Sequence, residues 1–131
     1  MADAEATLLS LRTRVATFVR ERDWEQFHNA KDLASAIAIE AAELMELFLW
    51  KTPAEVEFVA ADPDSRRRIA EELADVLILC LNLANGLEID VADAVIAKVE
   101  LNEAKYPPHL ARGKADKYTN YIGDRANPVA N

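Results

Sequence analysis

The sequence predicts an all-α protein, a four-helix bundle that assembles into oligomers. Three observations predict it. Glycine is rare, 3 in 131 residues, while alanine recurs throughout, a balance that favours helices over strands and hairpins. Apolar residues return at spacings of three and four along four long segments joined by short links, the pattern of helices packed side by side. Hydrophobic residues make up 51% of the chain, which is enough for one real core and more than a monomer of this size would cover.

Each helix has its own signal. Residues 4–22 carry Leu8, Leu11, Val15 and Phe18 on one stripe. The link Asp23-Trp24-Glu25-Gln26-Phe27-His28-Asn29 breaks that period and gathers two aromatics and a histidine. A second helix runs from about Asp32 to Lys51, striped by Leu33, Ile37, Leu44 and Leu47. Thr52-Pro53-Ala54-Glu55 reads as a capping box with proline in the first turn, opening a short helix to about Ala60. Asp62-Pro63-Asp64-Ser65 opens a third long helix whose seam is Ile69, Leu73, Val76, Cys80 and Leu83, with Gly86 as its stop. The same helix also exposes Leu77, Leu79 and Leu81, with Leu87 beyond them, and this surplus is the sequence argument for assembly through helix faces. Asp90 can cap a fourth helix bearing Val91, Val95 and Val99, ended by Pro107-Pro108. The expected organisation is a helical domain over residues 1–112 and a polar C-terminal tail over 113–131, either flexible or strapped to a neighbour.

Charge and cysteine usage narrow the function. With 23 acidic against 15 basic residues the formal net charge is −8, which argues against binding a nucleic acid polymer or an anionic membrane non-specifically. It leaves room for one phosphorylated small molecule held locally. Cys80 is the single cysteine, so no intrachain disulfide and no cysteine-rich metal site is expected. No secretory leader and no bilayer-length apolar run are seen, and a cytoplasmic protein is the expectation.

The most informative feature is two pairs of acids one turn apart on two apolar helices: Glu40 with Glu43, and Glu72 with Asp75. At about 100° per residue, Glu40 falls within the apolar stripe of its helix and Glu43 at its edge, roughly 60° further round. Glu72 sits beside the line of Val76 and Leu83, with Asp75 further out. Each helix thus offers one inward and one rim carboxylate. A lone Glu on a Glu-rich helix is ordinarily a solvated acid, and Glu46, Glu55, Glu57 and Glu71 are read that way by default. The four together are different, because an unpaired carboxylate on a core stripe is costly. Arg66, Arg67 and Arg68 lie outside the seam and do not offset it. A di-iron site would need Glu-x-x-His pairs, and His28 and His109 have no such partner. A hard divalent cation, magnesium above all, is the ordinary partner for such oxygen ligands.

The flanking words narrow this further. Arg22-Asp23-Trp24-Glu25-Gln26-Phe27-His28, Glu43-Leu44-Met45-Glu46-Leu47-Phe48-Leu49-Trp50-Lys51, Glu71-Glu72-Leu73-Ala74-Asp75-Val76-Leu77-Ile78, Lys105-Tyr106-Pro107-Pro108-His109-Leu110-Ala111-Arg112 and Lys117-Tyr118-Thr119 follow one another in the chain. Together they resemble the MazG-like all-α nucleoside triphosphate pyrophosphohydrolases, in the dCTP pyrophosphatase branch. The resemblance implies Mg2+ bound by Glu40, Glu43, Glu72 and Asp75, cleavage between the α and β phosphorus atoms, and a homotetramer built as a dimer of dimers. Glu43, or Glu46 one turn on, would orient the attacking water. Trp24, Phe27, His28 and Trp50 would form the base pocket, since an aromatic face stacks on any nucleobase. From residue type alone, Trp24 and Phe27 read equally as packing of the link against the bundle. Lys98, Asn102, Lys105 and Tyr106 on one helix face, with Arg112 or Lys117 from the tail, would meet the phosphates. Where this branch can carry a histidine on the first helix the chain has Val15, and where it can carry a tyrosine near the acids it has Leu79. Hydrolysis of dUTP or another non-standard nucleotide, and a non-catalytic helical interaction module, are the competing readings.

Overall fold

In a computed structural model, residues 1–121 are described, and every regular element among them is helical. The part of the tail from 122 to 131 lies outside the described residues. The elements are α1 (Leu8–Glu21), α2 (Ala30–Glu46), α3 (Pro53–Ala61), α4 (Pro63–Gly86), α5 (Val91–Lys105) and the single turn α6 (Pro108–Ala111). Short 3-10 turns stand at Ala2–Ala4, Glu25–Phe27 and Tyr118–Tyr121. Two compact units result, Met1–Asp90 and the residues from Val91 onward.

Local chemistry starts the helices where short polar side chains can take up free backbone N–H groups. Thr7 accepts from the Ser10 N–H at 3.1 Å, and Asn29 accepts from the Asp32 N–H at 2.9 Å. The expected capping box is complete: the Thr52 N–H donates to Glu55 Oε2 at 2.7 Å and the Glu55 N–H donates to Thr52 Oγ1 at 3.4 Å. Asp62 Oδ2 accepts from the Ser65 N–H at 2.8 Å and opens α4. Hydrogen bonds from the Thr52 N–H and then its hydroxyl hold the Glu55 carboxyl below its ordinary range, and those from the Ser65 hydroxyl and then its N–H do the same for Asp62.

The helix ends depart from expectation. Gly86 does not stop α4 but is its last helical residue; Glu88 takes the left-handed position, with φ 54°. The Ile89 N–H then donates to the Ala84 carbonyl at 2.9 Å and the Glu88 N–H to the Asn85 carbonyl at 3.3 Å, the two bonds of a Schellman motif. The end of α1 repeats it with Asp23 at φ 53°: the Trp24 N–H reaches Val19 O at 3.1 Å and the Asp23 N–H reaches Arg20 O at 3.0 Å. This motif is what aims Trp24 and the following link back across α1. A left-handed residue with a side chain costs about 1–2 kcal/mol relative to the right-handed form, so Glu88→Gly is expected to raise stability by up to about 1 kcal/mol. An unchanged or lowered denaturation midpoint would contradict this account of the turn.

Within the first unit α4 is the hub, packed on α2, α1 and α3. Val19, Leu33, Leu81 and Ala84 are its buried apolar residues, joined by one polar side chain, Asn82. The expected seam is only half-buried: Ile69, Val76, Cys80 and Leu83 are intermediate and Leu73 is exposed. Burial on α4 concentrates instead toward its C-terminal turns, where α1 crosses it and Arg12 bonds Asn85. Ile39 on α2 and Leu73, Leu77 and Ile78 on α4 stay open to solvent. In the second unit Tyr121 is buried, its ring against Tyr106 and its hydroxyl donating to the Asp116 carbonyl at 3.3 Å.

Candidate active site

The packing of α4 on α2 brings the two acid pairs face to face. Carboxylate oxygens of Glu40, Glu43 and Glu72 all lie within 4.8 Å of one another. Glu40 and Glu72 are half-buried, while Glu43 and Asp75 are exposed, one inward and one rim acid on each helix. Asp75 lies outside that group of three, but its charge acts on both Glu40 and Glu72. Partial burial, then the charges of Glu43, Asp75 and Glu72, push the Glu40 carboxyl above its ordinary range, and a hydrogen bond with Glu43 adds to this. Glu72 is raised in the same way, by burial first and then by Glu43 and Asp75, with Arg68 pulling the other way. Magnesium takes oxygen ligands at about 2.0–2.1 Å in an octahedron, which sets adjacent ligands roughly 2.9 Å and opposite ones roughly 4.1 Å apart. The three carboxylates need only small side-chain movements to meet that, so the donor set fits a hard cation in number, chemistry and charge.

Beside the acids is a cleft of about 210 Å³ lined by Glu46, Leu47, Lys51, Val59, Ser65 and Arg68. Glu46 is the last residue of α2, one turn past Glu43. Lys51 and Arg68 are cations next to the acid cluster that sequence reasoning did not single out as ligand-binding. Arg68 is at the start of α4, and only the packing of α3 and α4 brings it beside the end of α2.

The aromatic residues divide into two groups. Trp24 meets Phe18 at 5.7 Å and His28 at 6.1 Å between ring centroids, both edge-on. His28 Nδ1 lies 2.9 Å from the side-chain amide nitrogen of Asn82 on α4. Phe27 is exposed. Trp50 makes no ring contact with Trp24 or any other aromatic among the described residues; it is 92% exposed. Its backbone is left-handed, φ 62°, an uncommon state for a bulky residue. The reason lies in the chain path: α2 ends at Glu46 rather than Lys51, and tight turns follow, the Phe48, Leu49 and Lys51 N–H groups donating to Met45, Glu46 and Phe48 carbonyls. The residue before Pro53 must be extended, so the chain reverses at Trp50.

In the second unit, Lys98, Asn102 and Lys105 recur at spacings of four and three on α5, so they share one face, and Tyr106 follows. Tyr106 packs edge-on against Tyr118 at 6.1 Å, and Lys105 Nζ stands 5.1 Å from the centre of the Tyr118 ring. Lys117 is therefore next to this cluster in sequence, while Arg112 caps the turn α6; both are exposed.

Residues 35–120 match the MazG-like family. The chain belongs to the MazG-like family. Among curated relatives of this MazG-like chain, dCTP pyrophosphatase 1 of Rattus norvegicus is 47% identical over 115 residues, 88% of this chain and 68% of the relative. That of Homo sapiens is 44% identical over 115 residues, again 88% and 68%. A solved pyrophosphatase from Archaeoglobus fulgidus superposes with a TM-score of 0.70 at 39% identity, covering 76% of this chain and 92% of that one.

The electrostatics of this MazG-like cluster make a prediction of definite sign. An acid whose pKa is raised by folding binds protons more tightly when folded, so its contribution to stability is full below the unfolded value of 4.5 and is lost as pH rises through the folded value. In chelator, wild type is therefore expected to lose thermal stability relative to Glu40→Gln as pH climbs from 4.5 to neutrality, and the two should converge near 4.5. Parallel melting curves at all pH values would contradict it.

Proposed function

We propose that this protein is a magnesium-dependent pyrophosphohydrolase of deoxycytidine triphosphate, or of a close 5-modified relative. It hydrolyses the triphosphate to the monophosphate and pyrophosphate. One observation carries the catalytic reading: three carboxylates from α2 and α4 converge within 4.8 Å, with a fourth adding its charge. The relatives that are dCTP pyrophosphatases carry the substrate. Glu40, Glu43, Glu72 and Asp75 are the metal ligands, in a helical domain over residues 1–112 followed by a polar tail.

Bound at these acids, magnesium supplies charge that neutralises the triphosphate, polarises the α phosphorus and lowers the pKa of water. The chain's own residues do the rest. Glu43 or Glu46 orients the attacking water and takes up its proton. The water oxygen bonds to the α phosphorus, the bond between the α phosphorus and the oxygen that bridges it to the β phosphorus breaks, and pyrophosphate departs with that bridging oxygen. Lys51 and Arg68 stand where they offset the charge that develops on it, and Lys98, Asn102, Lys105, Tyr106, Arg112 and Lys117 supply further polar and cationic contacts. Trp24 and Trp50 stack on the base, with His28 at its edge. The apolar surface left open at Ile39, Leu73, Leu77 and Ile78 supports assembly of this chain with further copies, as a tetramer built from dimers.

The test is product analysis across a panel of nucleotides, with and without magnesium. Pyrophosphate and dCMP from dCTP, with dATP cleaved far more slowly, is the expected result. Equal turnover of dATP and dCTP would defeat the cytosine preference, and release of inorganic phosphate with dCDP would defeat the pyrophosphohydrolase assignment.

A further inference from the structure

Seven residues beyond Asp75 on α4, Asn82 returns to within about 20° of the same helix face, about 10.5 Å along the axis. That separation is one a nucleotide bridges between its α phosphate and its base. Asn82 is polar yet only 9% exposed, and it lines a cavity of about 400 Å³ with Ala16, Val19, Glu25, His28 and Asn85. The size falls in the range of small-molecule sites, roughly 300–1,000 Å³. The cavity lies wholly within the first unit, beside the ring of Trp24 that packs on His28.

Two asparagines line it, and they differ in whether both ends of the amide are bonded. Asn85 is committed: its Oδ1 accepts from Arg12 Nε at 3.0 Å and its amide nitrogen donates to the Arg12 carbonyl at 3.0 Å. Asn82 uses one end of its amide. Its nitrogen donates to His28 Nδ1 at 2.9 Å, and no described residue donates to its Oδ1. With the nitrogen on Nδ1, Oδ1 is the end of the amide left to the cavity; an amide turned over would need the ring proton moved from Nε2 to Nδ1. Accepting at Nδ1 also leaves the neutral His28 ring with its donor at Nε2. The cavity is thereby given an acceptor at Asn82 and a donor at His28.

A pyrimidine edge reads that pair directly. Cytosine offers an amino donor at position 4 and acceptors at N3 and O2, whereas uracil offers an acceptor at position 4 and a donor at N3. We propose that Asn82, its amide nitrogen bonded to His28 and its Oδ1 left to the cavity, reads the 4-amino group of the base and is the residue that selects cytosine over uracil. This rests on the triphosphate hydrolase reading and gives it a specificity residue that neither Trp24 nor Trp50 can supply, since stacking accepts any base. His28 is in this respect a positioning residue: it orders Asn82.

The test compares dCTP, dUTP and the deoxynucleoside triphosphate of pyrimidin-2-one, which is cytosine without its 4-amino group, using the full chain with magnesium. Wild type is expected to prefer dCTP to the amino-less analogue by on the order of 10- to 100-fold in kcat/KM, mostly through KM. Asn82→Ala should bring dCTP down to the level of the analogue while scarcely changing the analogue itself. His28→Leu should narrow the preference for dCTP over dUTP, because the freed amide can present its donor. Equal use of dCTP and the analogue by wild type, which requires no variant to fold, overturns the assignment, and so does an equal loss on both substrates in Asn82→Ala. Wild type that releases no pyrophosphate from any of the three overturns the hydrolase reading and this assignment with it.

Discussion

Replacing Glu40 with Gln, or Asp75 with Asn, is expected to lower kcat/KM for pyrophosphate release by on the order of 10²–10³-fold or more while leaving a folded protein. The two effects have one cause. At neutral pH the clustered carboxylates repel, and Glu40 and Glu72 are held above the ordinary carboxylate range by burial and by their neighbours. Neutralising one relieves that repulsion in the metal-free chain and removes an oxygen that a divalent cation needs. A variant defective only because it misfolds would lose stability along with activity; here stability is expected to hold or rise. Magnesium binding followed by calorimetry should weaken in parallel with turnover. Wild-type-like turnover in either variant would remove the acids from the active site.

Trp50→Ala is expected to raise KM for dCTP by the equivalent of about 1–3 kcal/mol, the worth of one base–aromatic stack, with a much smaller effect on magnesium affinity. An indole 92% exposed contributes little to the folded chain, so the substitution should leave the melting temperature nearly unchanged. The split between KM and metal affinity is the discriminating readout. An unchanged KM would mean that Trp50 serves another surface, such as contact with a second copy of the chain.

What the sequence made legible was local. Thr52, Glu55 and Asp62 announce helix starts because a cap acts over three residues. The acid pairs announce themselves because a spacing of three fixes a helix face, and α2 packed on α4 brings three of the four together as that spacing requires. Features that depend on the chain path were not legible. Gly86 drew the helix stop because glycine adopts left-handed backbone freely, yet the turn falls two residues later at Glu88, where the Schellman bonds close. The apolar stripe carries the second helix to Lys51, whereas the chain leaves α-helix at Glu46 for tight turns that run to the extended Thr52 before Pro53. Asn82 passed unnoticed because its partner is 54 residues away, and an asparagine on an apolar helix carries no periodic signal. Lys51 carries no signal for the same reason, and the reading that sets Arg68 outside the seam is corrected by its charge on Glu72: their shared cleft exists only once α3 and α4 have packed. Tyr121 sits in a stretch too polar to mark a core, and its burial depends on Tyr106.

The most direct test of the central claim is hydrolysis of dCTP in water enriched in ¹⁸O, with magnesium present, followed by mass analysis of both products. Attack at the α phosphorus beside the acid cluster predicts one heavy oxygen in dCMP and none in pyrophosphate, with incorporation lost in Glu40→Gln. Heavy oxygen in pyrophosphate, with dCMP unlabelled, would contradict it.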